Sequence, residues 1–369
     1  MKQRVARIFE RLPSAAEAIV VANAIDPHLD QSFFYLFDVP SGLFEGSIAV
    51  AFPDGRTTVL SSPLEEESAR QAAKQDPSIE VVVPRGREES DAIVDRLLPR
   101  SGPIALNFRE LTHEWFLRLA KARPNAPWVD ASDAVRRARM VKDAAELARL
   151  ERAAAIGSTV ATQIPGLLRA GITEFELAAE IEYRMMRAGA SGRSFSTITA
   201  FGSHSAEPHF VPGDRRLEPG QSIVCDFGAF YQRYASDITR SFHFGPTDPE
   251  LKRVHDTVEA AQSAALAILR AGVPAKEVHL AAQAVIDASP WRGRFTHGLG
   301  HSIGLAVHDG FGMNGLVDEP LETGMTITVE PGIYLPGHGG VRIEDDVVVT
   351  DTGYRFLTTA PRAYLEVPA

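Results

Sequence analysis

Cysteine is almost missing from this chain. Cys225 stands alone among 369 residues, so no intramolecular disulfide can form and stability has to come from a packed core. Its apolar, strand-like neighbourhood marks it as a buried small residue rather than a nucleophile. Long hydrophobic runs are missing too: nothing approaches the length of a transmembrane helix, and residues 1–18 hold no apolar stretch of signal-peptide length. The expected compartment is therefore the cytoplasm, with no membrane partner. Basic excess is also lacking. The formal net charge is −10, which disfavours a nucleic-acid partner, since such a partner wants a basic footprint. No glycine-rich phosphate loop is present.

The remaining composition, 44% hydrophobic and 23% charged, is that of an ordinary globular chain, and its length favours two domains. Residues 1–135 alternate short β-branched runs at 18–21, 47–52, 57–60, 80–83 and 104–106 with helical stretches at 63–75 and 90–98. This is the pattern of an α/β domain. His28 and His113 are isolated there and are expected at the surface or at caps. The aromatic run Phe33, Phe34, Tyr35 and Phe37 fits either a domain or dimer interface or a buried strand.

Residues 136–369 form the second expected domain. Helical spacing of Leu147, Leu150 and Ala154 predicts a helix across 142–155. The next helix carries its own start signal: Thr173 as cap, Glu176 three residues on as the reciprocal acid, and Ile172 with Leu177 as a staple. Gly189 marks its end. Leu177, Ile181 and Met185 form its buried stripe, and Met186 is expected to fill the core beside them.

This second domain repeats itself. Leu168-Arg169-Ala170-Gly171 recurs as Leu269-Arg270-Ala271-Gly272, 101 residues later. Glu218-Pro219-Gly220-Gln221-Ser222-Ile223, leading to Asp226-Phe227-Gly228, recurs as Glu322-Thr323-Gly324-Met325-Thr326-Ile327, leading to Glu330-Pro331-Gly332, at an offset of 104. Asp237 then falls on Glu344 at an offset of 107. Helix, strand and acid recurring in one order predict an internal duplication. Alternation along 222–241 predicts a hairpin with Asp226 and Asp237 opposite each other on its two strands. Two such halves face to face would gather four carboxylates. Like charges about 4 Å apart repel by roughly 4 kcal/mol per pair at an effective dielectric near 20, so the group needs cations or protons. The stretch THGLGHSIGLAVHD supplies His297, His301 and His308 in a glycine-interrupted segment that reads as strand rather than helix, and His209 adds an imidazole from the first half.

These residues carry a family resemblance. The motifs HGLGHSIGL, TVEPGIY and GVRIEDD, with DFG and SDITR before them, resemble the pita-bread metallopeptidases, and within them the proline-specific branch of aminopeptidase P and prolidase, over essentially the whole chain. The resemblance implies an α+β pita-bread catalytic domain, a pseudo-duplicated antiparallel sheet with flanking helices, behind an α/β N-terminal domain that partly covers the site. It implies two divalent metal ions, manganese first and cobalt or zinc as alternatives, held by Asp226, Asp237, His301, Glu330 and Glu344, with Asp237 and Glu344 bridging. It further implies Glu330 as proton acceptor and donor, and His209, His297 and His308 around the substrate. Tyr334 and Arg342 join these as substrate contacts, and the likeness implies a homodimer acting on proline-containing peptides.

Two departures stand out: Arg233 precedes Tyr234 where the family often has glycine, and Asp309-Gly310-Phe311 follows His308 where a frequent version reads Glu-x-Pro. Between residues 309 and 329 there is no Lys or Arg, whereas prolidases often place an arginine there for the substrate carboxylate. The expectation is therefore an Xaa-Pro aminopeptidase, with a prolidase as alternative and a small-molecule amidohydrolase or a non-catalytic binding protein of the same fold behind it.

Overall fold

The computed structural model describes residues 1–246 and 248–369, which divide into two compact units, Met1–Arg139 and Met140–Ala369. No helix among the described residues is long and apolar enough to cross a membrane.

The first unit is built on a six-stranded mixed sheet, in the order Ile79–Val82, Thr57–Leu60, Ile48–Ala51, Ala18–Ala22, Ile104–Leu106 and Trp128–Asp130. The sequence marks five of these strands; the short edge strand Trp128–Asp130 escapes, being only half-buried at its apolar positions. Val20, Val50, Ile104 and Leu106 form the core with Trp115 and Leu119. Those two belong to the helix His113–Ala122, which is capped by Thr112. The run at Phe33 is neither strand nor open interface. It lies in the helix Gln31–Phe37, capped by Asp30, and Phe33, Phe34, Tyr35 and Phe37 are all buried. The rings of Phe33, Phe34 and Phe37 each pack against Phe44. Burying that much aromatic surface outweighs weak helix propensity. His28 and His113 are exposed.

In the second unit the helix after the boundary runs Ala144–Ala161 and opens with a capping box of Asp143 and Glu146. Thr173 and Glu176 form the expected box on Glu174–Arg187, where Leu177, Ile181 and Met185 are buried, and Gly189 follows at φ +102°. Met186 is a correction: it is 52% exposed, because its position turns away from the stripe of Met185.

The duplication is visible in backbone pairing. Gly171 N donates to Leu217 O (2.9 Å), and Gly272 N donates to Leu321 O (2.8 Å). Leu217 N returns to Ile172 O (2.8 Å) as Leu321 N returns to Val273 O (2.9 Å). Isolated bridges join Thr173 to Arg216 and Pro274 to Pro320. Each half then sends a strand into the centre, Gln221–Phe227 paired antiparallel with Ile238–Phe244, and Thr326–Val329 paired antiparallel with Asp345–Val349.

The halves meet where Ile238–Phe244 runs beside Gly339–Arg342 and its continuation. Glu344 N donates to Thr239 O (3.2 Å), and Arg342 N donates to Ser241 Oγ (3.1 Å). Arg240, nearly fully buried, pairs with Asp345 (2.7 Å) and donates to Glu344 O (2.6 Å). The helices Glu174–Arg187 and Pro249–Ile268 complete the two apolar clusters of this unit.

Candidate metal centre and cavity

In the first half, Asp226 pairs across the ladder with Thr239, not with Asp237. Asp237 lies two residues before Thr239, so the two aspartates are diagonal neighbours on one face rather than directly opposite. The hairpin closes tightly because Gly228 presses against the backbone of Ser236, where a Cβ would collide with its carbonyl. Its outer turn, Gln232 (φ +45°) and Arg233 (φ +73°), is left-handed at both residues. This explains why glycine suits that place and what the departure at Arg233 means: a two-residue turn held by non-glycine residues.

In the second half, Val329 pairs with Asp345, so Glu330 and Glu344 face each other one step beyond the ladder. His301 reaches the same space from a two-residue strand, Gly300–His301, paired with Gly312–Met313. His301 N donates to Thr328 Oγ1 (3.1 Å), and the absent side chain of Gly300 lets that strand lie directly on the carbonyl of Thr328.

Ligand-type atoms of Asp237, His301 and Glu344 all lie within 4.8 Å of one another. His301 Nε2 is 3.6 Å from Asp237 Oδ2 and 3.5 Å from Glu330 Oε1. These are not ion pairs. Burial and then His308 push the His301 pKa down to about 3, so the ring is neutral. Its Nδ1 faces Ser302 O at 3.3 Å, and a carbonyl only accepts, so the proton is on Nδ1 and the Nε2 lone pair points at the carboxylates. Asp226 Oδ1, Asp237 Oδ1 and Glu344 Oε1 are buried without a hydrogen-bond partner. Burial, then the neighbouring acids, hold Asp237 and Glu344 well above the carboxylate range. Glu330 is pushed up to about 8, by burial first and Asp226 next, against the opposing charge of Arg342. Acids that burial and mutual repulsion keep protonated when alone, with buried oxygens that have no hydrogen-bond partner, fit divalent cations that would replace those protons, and oxygen ligands with one imidazole suit manganese, cobalt or zinc.

Other groups hold these acids in place. Thr239 Oγ1 donates to Glu344 Oε2 (2.6 Å), and Asp346 accepts from Asp237 N (2.9 Å). Arg342 Nη2 lies 2.6 Å from Asp226 Oδ2, its Nε donates to Thr239 Oγ1 (3.0 Å) and its Nη1 to Tyr334 Oη (2.9 Å). Tyr334 must then donate its own proton to His297 Nε2 (2.8 Å), while His297 Nδ1 donates to Gly298 O (2.7 Å). The sequence shows Arg342 and Tyr334 only as substrate candidates. Their mutual partnership, and those of Thr239, Thr328 and Asp346, leave no trace in spacing, except that Asp346 continues the acidic run of GVRIEDD.

A cavity of about 520 Å³ opens onto this cluster, lined by Asp226, Asp237, His301, Glu330, Glu344 and Arg342, and by His209, His297 and His308. Tyr334 is not on its surface; it is 4% exposed behind the wall. Both ring nitrogens of His297 are engaged, so it shapes the wall rather than offering a free donor. Burial and the adjacent His209 lower the His308 pKa. Phe195, Ser196, Ile198 and Asn314 also line the cavity and carry no motif that would have flagged them.

Known proteins resemble the chain along its length. The model of metallopeptidase family M24 matches residues 148–351, and that of the creatinase/prolidase N-terminal domain matches residues 14–141. An uncharacterized peptidase of Staphylococcus epidermidis is 31% identical over 89% of this chain and 92% of its own length. Among solved structures, an X-Pro aminopeptidase from Thermotoga maritima is 34% identical over 99% of this chain and 100% of that one, with a TM-score of 0.89. An Xaa-Pro dipeptidase from Bacillus anthracis is 30% identical over 99% and 98%, with a TM-score of 0.88.

Proposed function

The chain belongs to metallopeptidase family M24, in the pita-bread branch of aminopeptidase P and prolidase, and from this we propose that it is an Xaa-Pro aminopeptidase acting on peptides of three or more residues. Asp226, Asp237, His301, Glu330 and Glu344 would hold two divalent ions, with manganese as the first choice. When bound, such ions supply Lewis-acid polarisation of the scissile carbonyl and a nucleophile from water at neutral pH.

The chain's own groups do the rest. Glu330, at the cavity wall beside His301, takes a proton on a carboxylate oxygen and returns it to the departing amine. His209 and His308 flank the cavity and orient the peptide carbonyl, stabilising charge as it develops on its oxygen. Phe195, Ile198, Phe210 and Val307 present an apolar wall suited to the proline ring and able to exclude water.

The choice of aminopeptidase over dipeptidase rests on one observation. Arg342 is the one Arg or Lys among the described residues lining the cavity, and its guanidinium is engaged by Asp226, Thr239 and Tyr334. A dipeptidase has to neutralise a carboxylate one residue beyond the cut, and this wall offers no uncommitted cation for it. The test compares Xaa-Pro with Xaa-Pro-Xaa cleavage by the protein loaded with manganese, cobalt or zinc. Tripeptide preference is expected. Dipeptide preference overturns the choice, and no cleavage of either by metal-loaded protein overturns the activity.

A further inference from the structure

His209 reaches the cavity on an excursion of the chain, residues 202–213, that leaves the strand Ile198–Phe201 at its end and returns at Arg215, whose carbonyl bonds to the start of the helix Glu174–Arg187. Within it, Pro208, His209, Phe210 and Val211 all line the cavity, yet few bonds hold them. Glu207 N donates to His204 O (3.0 Å), Phe210 N donates to Glu207 O (3.2 Å), and Arg342 Nη1 reaches Pro208 O at 3.4 Å. Val211 is 78% exposed.

Both ends of the excursion converge on one fully buried side chain, Glu174, in the first turn of its helix. Its Oε1 accepts from Phe201 N (2.9 Å) and from His204 Nδ1 (2.8 Å), and its Oε2 accepts from Gly213 N (3.3 Å). A carboxylate only accepts, so His204 carries its proton on Nδ1 and its ring orientation is set from Glu174. That ring stacks on Phe210 with centroids 4.5 Å apart and planes at 30°. The backbone of the same turn adds two bonds, Glu174 N to Arg215 O (3.1 Å) and Phe175 N to Gly213 O (3.0 Å). The metal cluster uses none of these groups, and a buried acid with three donors is not needed for a helix start that Thr173 and Glu176 already cap.

We propose that Glu174 is a positioning residue that clasps both ends of the 202–213 excursion and, through His204 and Phe210, sets where His209 stands at the cavity wall. Its effect on turnover rests on the reading of His209 as a substrate contact; its effect on the excursion does not.

The experiment therefore has two arms. Glu174→Gln keeps the size of the side chain but replaces one acceptor oxygen with an NH2 group. Since misplacing a substrate-positioning group by about 1 Å can cost up to roughly a hundredfold, kcat/KM on Xaa-Pro-Xaa is expected to fall by about tenfold or more. In a His209→Ala background the same substitution should cost less than about twofold, because the group it positions is gone. Amide hydrogen exchange across residues 203–213 should quicken in Glu174→Gln while the strand Gln221–Phe227 stays protected. His204→Leu, which cuts the chain of contacts at a ring that does not line the cavity, should quicken exchange across 203–213 in the same way and serves if Glu174→Gln does not fold. Exchange unchanged across 203–213, or an undiminished loss in the His209→Ala background, overturns the proposal. If the wild-type protein cleaves no Xaa-Pro bond, the proposed activity fails separately, and exchange alone decides the clasp.

Discussion

Arg342 Nη2 lies 2.6 Å from Asp226 Oδ2, with the arginine side chain 3% and the aspartate side chain 12% exposed. The pair spans the two halves of the duplicated unit. It leaves Asp226 one buried oxygen, Oδ1, without a partner, on a residue that lines the cavity. The cation that the sequence offers to a substrate is spent on orienting a proposed metal ligand.

Removing that cation should be costly. Arg342→Met leaves a buried carboxylate uncompensated and is expected to lower stability by roughly 3–5 kcal/mol in urea denaturation. Asp226→Asn in the same chain should restore part of the loss, because the two residues act as one unit. Additive losses in the double variant would show that the pair is not energetically linked.

Taking one acid from the cluster should have opposite effects with and without metal. Burial and then Glu344 raise the Asp237 pKa, and burial, Glu330 and Asp226 raise that of Glu344, so Glu344→Gln relieves repulsion in chelator-treated protein and its melting midpoint should equal or exceed that of wild type. Manganese at a hundred times its dissociation constant should stabilise wild type by about 2.7 kcal/mol and the variant by much less. Scanning calorimetry with and without the ion reads both.

Gly300→Ala tests the seating of His301. A Cβ at that position collides with the backbone carbonyl and the side chain of Thr328, which cannot yield without moving the strand Thr326–Val329. Overpacking of this kind costs about 1–3 kcal/mol, and displacement of His301 should lower metal stoichiometry measured by elemental analysis of folded protein.

A pH effect should come from His255, which is not among the residues lining the cavity. It is 1% exposed, lies edge-on to Tyr364 at 5.1 Å, and its Nδ1 has no hydrogen-bond partner. Burial lowers its pKa to about 4, against the raising effect of Asp256. Above its unfolded value of 6.5 the ring is neutral in both states and contributes nothing. As pH falls from 6.5 to about 4 the unfolded chain binds a proton that the folded chain refuses, so stability is lost across that window, on the order of 3 kcal/mol. His255→Gln should flatten this part of the curve in denaturation at pH 4–7; an unchanged slope would rule His255 out as its source.

Much of this architecture was legible because it is written in local patterns. Thr173 with Glu176 marks a helix start through bonds made within one turn, and the strands of the first unit announce themselves by β-branched runs. The paired acids and glycines of the duplicated half keep their order because each repeat folds the same way. Phe33 to Phe37 misled for the opposite reason: nothing local separates an aromatic helix from a strand when burial against Phe44 makes the choice. Met186 misled because one step of a helix turns a side chain by about 100°.

Sequence by itself determined the two-unit organisation, the internal duplication and the residues that compose the acidic and imidazole cluster, since these follow from periodicity, repetition and residue chemistry along the chain. Only the tertiary structure decided that Asp226 lies diagonal to Asp237, that Arg342 pairs with Asp226 rather than standing free, that Tyr334 sits behind the wall, and that Glu174 accepts hydrogen bonds from both ends of the segment carrying His209. Those relationships are set by strand register and by contacts between residues more than a hundred positions apart in one case and some thirty in another. A hydrogen bond depends on where two atoms end up in space, and no spacing along the chain encodes that.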